Sequence, residues 1–151
     1  MPNASCGFPQ RSSRFEHSKL KAVAKYCIAL VATLVGSTSA FALTFAGATE
    51  NLLYFEYARL GAAYCEGQGF PARQVQRNWQ TKHEPLYRQS IQTVRAEGAR
   101  RGLVTATEQD ALLLEVMRPV TRTAQAKVNG AGIPCAKFGR LIEGLAADFK
   151  R

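Results

Sequence analysis

The chain has 151 residues, with 20 Lys and Arg against 11 Asp and Glu and a formal net charge of +9. That length allows one domain with a sizeable core and leaves no room for a multidomain machine. The charge invites a nucleic-acid partner, but its distribution along the chain argues against one.

A basic arm carries Arg11, Arg14, Lys19, Lys21 and Lys25, and the 24 residues from Tyr26 to Thr49 then carry no charge. Cys27 to Val35 forms an apolar segment, Gly36-Ser37-Thr38-Ser39 breaks it, and Ala40-Phe41-Ala42 follows as an A-x-A cleavage site. Positive arm, apolar core and small residues in that order predict a secretory signal peptide over residues 1–42. Ala46-Gly47-Ala48 is a second candidate cut. The competing reading is an uncleaved inner-membrane anchor over residues 26–49, since about 20 apolar residues span a bilayer. Signal peptides usually run to about 30 residues. The long arm therefore suggests a true start at Leu20 or Val23.

Cleavage changes the inventory. Residues 43–151 keep 15 basic and 10 acidic residues, so the net charge falls to +5. Nucleic acid is then an unlikely partner, and a membrane is a partner only if the leader stays. Cys65 and Cys135 are the two cysteines left, in a compartment that oxidises thiols, and a disulfide between them is expected.

Strand alternation is nearly absent from 43–151, and helical spacing recurs. A first helix is expected from an N-cap at Thr49, with Leu53, Tyr57, Leu60 and Tyr64 as its inner stripe, ending at Gly67 and Gly69. Tyr54 and Phe55 then fall on its flanks. A second helix follows Pro71, with Val75 and Trp79 inward. Thr81 to Glu84 has capping-box spacing, so either a new helix starts near Lys82 or Pro85 kinks one long helix ending at Gly102. Thr105 to Glu108 is another capping box. It opens a helix carrying Leu113, Met117, Val120, Ala124 and Val128 past Pro119 to Asn129-Gly130. A last helix from about Pro134 lines up Cys135, Phe138, Leu141, Leu145 and Phe149. The fold predicted is all-α, a four- to five-helix bundle with one disulfide.

Chemistry-bearing sets are scarce. His83 is the only histidine of residues 43–151, and the second histidine of a zincin motif is replaced by Tyr87. No metal or other cofactor is therefore expected. Ser90 lies two helical turns from His83 but has no acid partner or oxyanion hole in sight. No Gly-rich phosphate loop is present.

Three functional readings remain. The first is a non-enzymatic binding protein of the cell envelope, periplasmic or secreted, which takes an unknown protein or envelope partner through Tyr54 and Phe55. The second is a small enzyme or transport component with a pocket at Trp79, His83 and Glu84 beside Pro85. The third is a basic surface for anionic polymers at Arg95, Arg100, Arg101 and Arg122. The first is favoured because no catalytic set appears.

Overall fold

The computed structural model describes residues 42–151. The expected leader lies outside the described residues except for Ala42. Among the described residues there are four α-helices and no strand: α1 (Phe45–Gly67), α2 (Ala72–Arg100), α3 (Ala106–Ala131) and α4 (Phe138–Ala147). A 3-10 turn, Cys135–Lys137, precedes α4. No described helix is long and apolar enough to cross a membrane.

Helix α1 begins one turn before the expected cap. Thr44 is the N-cap, and its hydroxyl accepts the Gly47 N–H at 3.1 Å. Thr49, expected in that role, sits inside the helix and donates its hydroxyl to the Phe45 carbonyl at 2.9 Å. Leu43 and Ala48 are both buried, so a cut after Ala48 would remove core residues and the first turn.

The buried face of α1 also corrects the sequence reading. Ala48, Leu52, Phe55, Ala58, Ala62 and Cys65 form it, whereas Leu53, Tyr57 and Leu60 are half-buried and Tyr64 is 38% exposed. Phe55, placed on a flank by spacing alone, is 5% exposed and lies in the core. The reason is close packing. Small residues let neighbouring elements approach α1: a Cβ at Gly61 would stand 2.8 Å from Ile133 Cδ1 and 3.2 Å from Phe138 Cε2. A count of large side chains misses a face built from Ala and Gly.

Helix α1 ends in a Schellman-type turn, in which the Phe70 N–H reaches the Cys65 carbonyl at 2.9 Å and Gly69 takes φ +84°. Helix α2 then runs unbroken through Pro85. The capping box at Thr81 does not form. Thr81 donates instead to the Arg77 carbonyl at 3.0 Å, and Glu84 pairs with Arg88 at 2.8 Å. Pro85 removes one helical hydrogen bond, at a place where both Pro85 and Thr81, whose carbonyl loses its partner, are exposed. Val75, expected inside, is 40% exposed, while Gln76 and Trp79 are buried.

The second box forms as expected. Glu108 N–H reaches the Thr105 hydroxyl at 3.2 Å, and Thr105 N–H reaches the Glu108 carboxylate at 2.9 Å. Helix α3 continues past Pro119 to Ala131.

Helix α1 is the hub. It packs on α2, α3 and α4, and α2 packs on α3 and α4, whereas α3 and α4 barely touch. One core cluster holds Phe55, Trp79, Phe138 and Ile142 with Cys65; a second holds Leu43, Leu52, Val94 and Val120. Cys65 and Cys135 form a disulfide across 5.3 Å between Cα atoms, tying the end of α1 to the turn before α4.

Candidate functional site

Because α3 and α4 do not close on each other, the side of α1 between them is left partly open. Two apolar hollows lie beside α1 and share Leu53, the first against α3 and the second reaching α4. One, about 430 Å³, is lined by Phe45, Thr49, Leu53, Pro119 and Thr123 among others. The other, about 270 Å³, is lined by Leu53, Tyr54, Tyr57, Lys127, Leu141 and Leu145. Two residues of the stripe expected to face the core, Leu53 and Tyr57, thus line the floor of a groove. Lys127, which lines the second hollow, enters none of the ion pairs among the described residues, nor do Arg118, Arg122, Lys137 and Arg140 elsewhere on α3, the turn before α4 and α4.

Of the aromatic pair singled out by sequence, only Tyr54 reaches this groove. Its hydroxyl donates to Glu50 at 2.8 Å. That bond to a carboxylate, with burial second, pushes the Tyr54 pKa up to about 12. The same bond, helped by Lys150 against a smaller burial effect, holds Glu50 below the usual carboxylate value. Neighbouring Glu56 is buried and held by Arg59 in two 2.8 Å bonds, and it accepts the Thr121 hydroxyl at 3.0 Å. The Thr121 bond fastens α1 to α3.

Trp79 and His83 do come together, with ring centroids 5.2 Å apart, but Glu84 is drawn off to Arg88. A hollow of about 360 Å³ lies at the expected place, lined by Lys82, His83, Pro85 and Phe149 among others, and Glu84 does not line it. Burial, with Lys82 second, lowers the His83 pKa, against a smaller opposing pull from Glu143. Ser90 is fully buried and donates to the Leu86 carbonyl at 2.9 Å, so its hydroxyl is engaged within its own helix. Among the described residues no three His, Cys, Asp or Glu side chains are grouped to hold a metal ion.

Three of the four arginines of the basic patch are engaged, and Arg122 enters no ion pair among the described residues. Arg95 pairs with Asp110 at 2.7 Å, and Arg100 and Arg101 share Glu97. Arg101 also lies over the Phe45 ring, 5.4 Å from its centroid. The patch is a network of exposed ion pairs at the end of α2, each worth little on its own.

Sequence reasoning passed over Asn51. It is fully buried, and its amide bonds to the backbone of Lys150 at 2.8 and 2.9 Å. A polar residue whose partner is backbone 99 positions away leaves no signal in a helical pattern.

Fold and surface together define a small disulfide-bonded helical bundle with an apolar groove. No protein-family model, curated protein or solved structure matches the chain.

Proposed function

We propose that this chain is a non-enzymatic binding protein of the cell envelope, exported by its leader, that receives an apolar partner segment in the groove between α3 and α4. One observation carries the reading: Leu53, Tyr57, Leu141 and Leu145 stay half-buried as the apolar floor and wall of a hollow that no other element among the described residues fills. Exposed apolar surface of this kind marks interaction sites. The leader signature and the disulfide support an oxidising compartment. Lys127, in the groove wall and in none of the ion pairs among the described residues, suits a partner helix with an apolar face and an acidic flank.

The test places a photo-cross-linking residue at Leu53 in the full chain expressed in cells. Leu114, 65% exposed on the outer side of α3, is the control position. A discrete adduct from Leu53, absent from Leu114 and lost when Leu141 is replaced by Glu, supports the reading. The same adducts from both positions, or none from Leu53, would refute it.

A further inference from the structure

Asn51 lies in the second turn of α1, and its amide bonds to the Lys150 backbone, with a longer 3.5 Å contact from Nδ2 to Ser90 Oγ. Oδ1 accepts the Lys150 N–H at 2.8 Å, and Nδ2 donates to the Lys150 carbonyl at 2.9 Å. One donor and one acceptor aimed at a single residue are what a neighbouring β-strand would offer it. This is a way of reading extended peptide backbone whatever its side chain.

The residue before Lys150 sits in an aromatic box. Phe149 stacks on Phe55 at 5.2 Å with rings 19° apart. It meets His83 edge-on at 5.2 Å and Trp79 at 5.7 Å. The Lys150 ammonium is 3.4 Å from Glu50. Backbone, aromatic side chain and cation are each received by a different group.

Two features separate this arrangement from ordinary core. First, Trp79 Nε1 and His83 Nε2 are buried with no hydrogen-bond partner among the described residues. Buried polar atoms of folded proteins are normally paired, and each exception calls for an explanation. Second, the segment that closes the box lies beyond the last helix. Helix α4 ends at Ala147, residues 149–151 are irregular, and Asp148, Lys150 and Arg151 are exposed. Phe149 alone is inserted.

We propose that Asp148–Arg151 is a strap that opens locally, and that the box beneath it is a peptide site. Its ligand is an extended segment bearing an aromatic residue followed by a basic one. The strap is its intramolecular occupant. A displacing peptide brings carbonyl groups within the box, an acceptor for the orphaned Trp79 N–H. The site adjoins the groove, since Glu50, which receives Lys150, lines the first hollow, but Asn51, Phe55, Trp79 and His83 line neither hollow. A tethered occupant competes at an effective concentration of about millimolar, so an outside peptide gains access once the strap is weakened.

Trp79 is the chain's only tryptophan, so its fluorescence reports on the box directly. The experiment uses the full chain with Phe149→Ala and the blocked peptide Ala-Asp-Phe-Lys as probe, with Ala-Asp-Ala-Lys as control. The expected result is a saturable change in Trp79 emission, at least about tenfold tighter in the variant than in the wild type because the tethered competitor is gone. A variant that melts cooperatively yet ignores the probe up to about 10 mM, above the tether's own effective concentration, overturns the proposal. Should Phe149→Ala not fold, amide exchange of the wild-type chain decides. Locally opening segments exchange well ahead of core amides, so the Lys150 N–H should exchange at least about 100-fold faster than those of Leu52 and Val94. Equal rates would make the segment part of the core and overturn the strap.

Discussion

Reducing the disulfide is the perturbation whose size follows most directly from the structure. The bridge joins residues 70 apart, and loop-closure entropy assigns such a cross-link roughly 4.4 kcal/mol. Total stabilities of small domains run to about 5–15 kcal/mol. The bridge also carries α4, a helix of 10 residues, which is too short to persist without its packing. Cys65 is fully buried beside Phe138, so reduction also leaves a polar thiol in the core. For a domain of about 100 residues, 1 kcal/mol moves Tm by about 4 °C or more, which gives a fall of roughly 15–20 °C. The assay is thermal melting by circular dichroism of the oxidised and reduced protein, with Cys65→Ser/Cys135→Ser as a second reduced state. A fall of less than about 4 °C, corresponding to ~1 kcal/mol, would refute the idea that this staple holds α4 to α1.

Other outcomes follow from single positions. Gly61→Ala forces a methyl to within 2.8 Å of Ile133 Cδ1 and should cost about 1–3 kcal/mol in urea unfolding, as overpacking does. Gly67→Ala meets nothing within 4 Å and should be neutral or stabilising by up to about 1 kcal/mol. Acid should destabilise the fold in two windows. The His83 pKa is lowered from 6.5 by burial, so the unfolded chain binds more protons there and stability falls as pH drops below 6.5 towards the folded value. Glu50 and Glu56 are held below 4.5, so their contribution, present above 4.5, is lost as pH falls further through their folded values. His83→Gln should remove the upper window and leave the lower, as read from stability against pH.

The all-α class, the second capping box and the pairing of Cys65 with Cys135 were legible because each rests on local punctuation or on elimination. The face of α1 was not. Leu53, Tyr57, Leu60 and Tyr64 make a good helical stripe, but burial depends on how closely neighbours approach, and Ala58, Gly61 and Ala62 decide that. The same miscount concealed the groove, since Leu53 and Tyr57 of the supposed core stripe line it. Capping-box spacing at Thr81 failed because the helix was already running when it reached that residue. Asn51 was illegible for a different reason: its partner is a backbone segment that only the folded chain brings near.

The groove as a partner site is the central claim, and hydroxyl-radical footprinting of the unaltered protein tests it most directly. Tyr57 lies in the groove, and Tyr64, 38% exposed further along α1, lies outside both hollows and serves as internal control. The account predicts that Tyr57 is modified in the purified protein and protected in intact cells, with Tyr64 modified equally in both. Equal modification of Tyr57 in the two settings would contradict it.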